Sequence, residues 1–85
     1  MKFEEILKNE IYRKVIKFFH ENPHSIDTGR GVATWTHEDI DKVRTALKKL
    51  AGMGILNAHD TSSTTAYCYT RDKKMISMVE KLLNE

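Results

Sequence analysis

The chain predicts a mainly α-helical domain carrying one small β-hairpin, in the order helix, short strand, helix, helix, hairpin, helix. Three observations predict it. Apolar residues recur at spacings of three or four from Phe3 to Phe19 and again from Ile40 to Leu50, the period of a helix that buries one face. Tyr67 and Tyr69 alternate with Cys68, the period of a half-buried strand. Gly52 and Gly54 stand between these two regimes, where a helix ends in a C-cap pattern.

The first helix is expected over about 3–21, with Phe3, Ile6, Leu7, Ile11, Val15, Ile16, Phe18 and Phe19 making one broad stripe. Asn22-Pro23 ends it, because the residue before proline is pushed out of the helical region. Ser25-Ile26-Asp27 reads as a short extended piece. Asp27 or Thr28 then caps a second helix ending near Thr34 or Trp35. Val32, Ala33 and Trp35 are its inward candidates, and Gly29 and Gly31 make it dependent on packing. Thr36 followed by Asp39 reads as a variant capping box for the third helix, with Asp39 as the alternative cap. This helix runs to about Ala51 on Ile40, Val43, Ala46, Leu47 and Leu50. Strands are expected over 55–59 and 66–70, joined by the polar loop 60–65. A two-stranded hairpin is unstable alone, so it must lie on the helices. Asp72 can cap a last helix over 73–84, striped by Met75, Ile76, Val79, Leu82 and Leu83, with Met78 at its flank.

Eighty-five residues suffice for a single domain, 1–85, and such a chain buries only about 60–65% of its unfolded surface. Its 40% hydrophobic and 31% charged residues suit a globular domain rather than disorder. Apolar runs are too short to span a membrane. The start, Met1-Lys2-Phe3-Glu4-Glu5, lacks the apolar stretch of a signal peptide. One cysteine, Cys68, cannot form an internal disulfide, and a reducing cytoplasm suits it. The net charge of +2 and pI near 8.7 permit an anionic partner without requiring one. His20, His24, His37 and His59 form no metal motif. His20 and His24 are four apart, but Pro23 interrupts the helix that would align them, and zinc needs three or four convergent ligands. With no Gly-rich phosphate loop, nucleophile motif or apolar carboxylate pair, neither enzymatic activity nor a cofactor is expected. Cys68 is expected to pack, and Phe18, Phe19 and Trp35 to form core.

Between Val32 and Leu56 the chain resembles the winged helix-turn-helix transcriptional regulators of bacteria and archaea, in the broad sense that includes ArsR-like and MarR-like proteins. Val32-Ala33 takes the place of the usual Leu-Ala of the second helix. Val43, Leu47 and Leu50 match the spaced apolar residues of the recognition helix. Leu50-Ala51-Gly52-Met53-Gly54-Ile55-Leu56 looks like the Leu-x-x-x-Gly-Leu-Ile exit into the wing. In order of elements the resemblance covers Tyr12 to Thr70.

The resemblance implies double-stranded DNA as partner, with the third helix in the major groove. Its polar positions are Lys42, Arg44, Thr45, Lys48 and Lys49. Arg and Lys can pair with guanine acceptors or phosphates there, and Thr with bases or the thymine methyl. Thr36 and His37 lead into that helix. Arg30 opens the second helix, where free amides favour phosphate. Thr61, Ser62, Ser63 and Thr64 of the wing would touch the backbone through hydroxyls and amides. Regulators of this kind commonly dimerise through terminal helices, and two terminal apolar helices exceed what a three-helix core must cover. Residues 72–85 are therefore the candidate homodimer element, through Met75, Ile76, Val79, Leu82 and Leu83. Two features fit a different use. Glu38, Asp39 and Asp41 make the start of the third helix acidic, and the wing carries no Lys or Arg. Both would suit a protein-interaction module that does not bind DNA.

Overall fold

The computed structural model describes residues 3–84, so Met1 and Lys2 of the amino-terminal reading and Glu85 of the candidate dimer helix lie outside the described residues. Five helices and three strands follow in order: α1 (Phe3–Lys8), α2 (Glu10–Glu21), β1 (Ile26–Thr28), α3 (Gly29–Thr36), α4 (Ile40–Gly52), β2 (Leu56–Asp60), β3 (Thr65–Tyr69) and α5 (Lys73–Leu83).

The single first helix expected from the apolar stripe is two helices. Asn9 separates them: its carboxamide oxygen accepts the backbone N–H groups of Ile11 at 3.0 Å and Tyr12 at 3.3 Å, making it the N-cap of α2. A short side chain that bonds its own backbone in this way competes with helix continuation. The buried stripe nevertheless crosses the break, through Ile6 and Leu7 and then Val15, Ile16 and Phe19.

Thr28, rather than Asp27, caps α3, its Oγ1 accepting the Gly31 N–H at 3.2 Å. The helix runs to Thr36 and ends on His37 in the left-handed region at φ 58. Thr36 does not cap α4. Its hydroxyl donates back to the Val32 carbonyl at 2.8 Å, and Asp39 takes the cap by accepting the Lys42 N–H at 3.1 Å. Loss of such a cap typically costs about 1 kcal/mol. Asp39→Ala is expected to lower the unfolding free energy by about that much in urea titrations, with α4 the first helix to fray.

α4 lies at the centre of the core. Val43, Ala46, Leu47 and Leu50 are all fully buried, in one core cluster with Phe19 and Ile16 of α2, Val32 of α3, Ile55 and Leu56 at the base of the hairpin, and Val79 of α5. Gly54, at φ 83, makes the turn out of α4, a conformation that glycine adopts without strain. Trp35 is not core: 68% of its surface is exposed. It stands two residues beyond Ala33, about 200° round the helix, so once Val32 and Ala33 face inward it cannot. It stacks instead on half-buried Phe18, with ring centroids 6.5 Å apart and planes at 22°.

β2 and β3 each lie one residue from their expected limits. Leu56 pairs with Tyr69 and Asp60 with Thr65. The short extended segment after Pro23 joins this hairpin as a third strand. β1 pairs antiparallel with β3, with Ile26 opposite Cys68 and Thr28 opposite Ala66, giving the sheet order β1-β3-β2. Tyr67 and Tyr69 point into the core, as their alternation predicts, and Cys68 lies on the other face, half-buried.

Tyr69 ties the sheet to α2 through a 3.1 Å hydrogen bond between its hydroxyl and His20 Nδ1. Burial, with the Glu80 carboxylate adding to it, pushes the phenol up to about 12 from its usual 10. The folded chain keeps a proton that the unfolded chain releases once pH passes 10. The contribution of Tyr69 to stability is therefore complete below pH 10 and is lost as pH rises towards 12. Thermal melts across that range are expected to show a falling Tm, with a shallower fall in Tyr69→Phe.

Candidate nucleic-acid interface

The face of α4 opposite its buried stripe carries Asp41, Lys42, Arg44, Thr45, Lys48 and Lys49, all exposed. Because residues three and four apart share a side of a helix, Asp41, Thr45 and Lys48 form its outward crest. Arg44 lies on one flank, Lys42 and Lys49 on the other.

The Arg44 flank faces the wing. Gly29, Arg44, Lys48, Thr64, Thr65 and Tyr67 line one hollow of ≈ 220 Å³ between the start of α3, α4 and the hairpin. The opposite flank faces the break between α1 and α2. There Lys42, Thr45 and Asp41 share a hollow of ≈ 420 Å³ with Asn9, Ile11 and Tyr12. Lys49, near the end of α4, lines neither of these two hollows.

The acidic start of α4 proves uneven. Glu38 is half-buried and turned towards α2, where Lys14 Nζ donates to its Oε1 at 2.8 Å. That contact, together with Glu10, holds the Lys14 ammonium above its ordinary range. The Asp39 carboxylate is occupied in capping. Asp41 alone of the three is exposed without such a partner among the described contacts, on the crest beside Thr45, whose hydroxyl donates to the Asp41 carbonyl at 3.0 Å. Sequence proximity could not reveal the Lys14–Glu38 pair, because its members are 24 positions apart.

Several candidate residues fall outside this face. Thr36 is half-buried and lines a separate hollow with Lys14, Lys17, Phe18 and Trp35 on the α2 side. His37 is exposed in the α3–α4 turn, and Arg30 is exposed on the first turn of α3. In the wing, Thr61 closes its own loop. Its hydroxyl donates to the Thr64 carbonyl at 2.8 Å and accepts the N–H groups of Thr64 at 3.0 Å and Ser63 at 3.4 Å. Asp60 Oδ1 accepts from Thr65 at 2.7 Å. Ser62 and Ser63 stand exposed at the tip.

The α5 stripe faces the domain's own core. Val79 is fully buried, and Met75, Ile76, Leu82 and Leu83 are half-buried against that core. The Arg13 guanidinium donates to the Leu83 carbonyl at 3.1 Å, fastening the end of the helix to α2. Val79 has no area left for a second copy, whereas the other four keep an exposed edge.

Cys68 Sγ lies 3.4 Å from His59 Nε2 on the outer sheet face. Among the described residues, no three His, Cys, Asp or Glu side chains gather closely enough to hold a metal ion, and no helix is long and apolar enough to cross a membrane.

No protein-family model matches the chain, and no curated protein matches it in sequence. Its likeness to solved structures is close. A possible transcriptional regulator from Methanosarcina mazei superposes with a TM-score of 0.72 at 17% identity, over 99% of this chain and 78% of that one. Reduced HlyU from Vibrio cholerae gives 0.70 at 14% identity, over 94% and 80%. A homodimeric winged helix-turn-helix DNA-binding domain from Mycobacterium bovis, of a possible ArsR-family transcriptional regulator, gives 0.70 at 14% identity, over 95% and 74%. The fold is therefore the winged helix-turn-helix: α3 and α4 form the helix pair, and β2 and β3 the wing.

Proposed function

We propose that this chain is a DNA-binding transcriptional regulator that places α4 in the major groove of duplex DNA and acts as a homodimer in the cytoplasm. The observation that carries the reading is the continuous exposed face of Arg44, Thr45, Lys48 and Lys49 on the second helix of the pair, with its Arg44 flank opening towards the wing. Cations so placed can meet phosphates on either side of the groove while the crest addresses base edges. The pairing of Glu38 with Lys14 removes one of the charges that would oppose this. The wing adds neutral contacts through Ser62, Ser63 and Thr64, with Thr61 shaping the loop. The role is recognition rather than catalysis.

Two of the structural neighbours support the reading, since both are described as possible transcriptional regulators and one of them as a DNA-binding domain. The dimer rests on the homodimeric neighbour and on the exposed edges of Met75, Ile76, Leu82 and Leu83. Sedimentation equilibrium over a concentration series tests it, with a mass that stays monomeric throughout as the contrary result.

A fluorescence titration of mixed-sequence duplex across a salt series tests DNA binding. The logarithm of the association constant should fall linearly with the logarithm of salt, with a slope of about 0.9 per phosphate contacted. Absence of binding even near about 50 mM salt would reject the reading in favour of a protein-interaction module. The exposed Trp35, stacked on half-buried Phe18, and Asp41 on the crest favour that second use. Quenching of Trp35 fluorescence by a captured protein would then identify the surface.

A further inference from the structure

Gly29 opens α3 directly behind its Thr28 cap. Its backbone is not in the left-handed region, so alanine could take the same dihedrals, and alanine is the stronger helix former. Conformational freedom does not explain a glycine here, but space does. A Cβ at this position would stand 2.8 Å from Arg44 Cγ, 3.4 Å from Nε and 3.7 Å from Cδ. Carbon atoms in good contact lie about 3.5–4.0 Å apart. The nearest atom is close to the root of the arginine side chain, so relief would need rotation of the whole side chain. Gly29 is itself buried although Arg44 is exposed, because the arginine stem lies across it. From its flank position on α4 the Arg44 side chain thereby lies over Gly29, in the hollow shared with Lys48 and the wing residues Thr64 and Thr65.

We infer that Gly29 is a positioning residue for Arg44, and that the guanidinium so placed binds a backbone phosphate between α4 and the wing rather than a base edge. The inference rests on the DNA-binding reading above. A flank position beside wing hydroxyls suits a phosphate strand, and an arginine fork matches phosphate oxygens. Asp41 and Thr45 of the crest lie outside that hollow and stay free to face base edges.

The test compares wild type, Gly29→Ala, Arg44→Ala and the double variant, each titrated with mixed-sequence duplex over a salt series and each melted thermally. Both single variants should bind about tenfold more weakly and lose about one unit of salt slope, equally across unrelated sequences. The double variant should bind no more weakly than Arg44→Ala. Gly29→Ala should lower Tm in the wild-type background. It should raise Tm in the Arg44→Ala background, where the clash is gone and alanine restricts the unfolded chain. Wild-type affinity and slope in Gly29→Ala, or losses that add in the double variant, would overturn the inference. A sequence-selective loss would overturn the phosphate assignment. Should the wild type bind no duplex while the Tm pattern still appears, the DNA reading fails and the phosphate with it, yet the Gly29–Arg44 coupling stands. The two failures are thus distinguishable.

Discussion

Arg44→Ala combined with Lys48→Ala is expected to abolish measurable duplex binding at physiological salt while leaving the melting curve close to that of the wild type. Both side chains are exposed and line the hollow between α4 and the wing. Neither belongs to the buried set formed by Val43, Ala46, Leu47 and Leu50, so stability should change by no more than about 0.5 kcal/mol. Binding is another matter. Each hydrogen bond to a charged group is worth about 1.5–3 kcal/mol. Two together, about 3–6 kcal/mol, are comparable with the roughly 4 kcal/mol that separates specific from non-specific affinity at the weak end of such proteins. The salt slope should fall by about two if both residues meet phosphate. Lys42→Ala, on the opposite flank, is expected to weaken binding less and to act additively with either, since distant sites with no shared partners combine independently. If the double variant retains wild-type affinity and slope, α4 is not the binding element, and the surface around Trp35 becomes the one to pursue.

Leu47→Ala is expected to produce the largest loss of stability. Leu47 is fully buried in the middle of α4, among the largest buried side chains of the chain. Truncation removes its transfer free energy and leaves a cavity, at a cost of about 2–5 kcal/mol. A domain of this size holds only about 4–13 kcal/mol in total, so the variant should melt roughly 10–30 °C lower or fail to fold at physiological temperature. Leu47→Met, which keeps the volume, should cost less than about 1.5 kcal/mol. Chemical denaturation of the pair separates a packing effect from a failure of expression.

The legible parts of this fold are those in which one chemical pattern dominates. The series Ile40, Val43, Ala46, Leu47, Leu50 marks α4 because every member has a place on one side of the helix, and the two tyrosines mark β3 for the same reason with period two. What escaped the sequence was decided between elements. The apolar stripe runs unbroken past Asn9, so nothing in the pattern distinguishes one long helix from two helices joined by a cap. α3 spans only about two turns, too few for Trp35 to be assigned a side until Val32 and Ala33 are packed. Thr36 and Asp39 both offer a cap for α4, and the choice falls to Asp39 because the Thr36 hydroxyl is spent on Val32. A three-residue strand such as β1 has no period of its own and becomes a strand only by meeting β3. The same holds for the site: the cationic positions of α4 were readable from its helical period, whereas the Lys14–Glu38 pair and the close fit of Gly29 to Arg44 exist only once distant segments meet.

The sheet has a mechanical consequence. β1 laces to β3 only as far as Ala66, while β2 continues to Asp60 opposite Thr65. The hairpin is thus a beam clamped at its base by a third strand and by the Tyr69–His20 bond, and free over its outermost rung. A load applied at Ser62 or Ser63 bends that overhang first, about a fulcrum at Ala66, and leaves the clamp and the core beneath it unmoved. Sequence change is partitioned in the same way. Residues beyond the fulcrum can be exchanged with little effect on the foundation, so the tip can be refitted to a different surface contour while Tyr67 and Tyr69 continue to hold the beam in place.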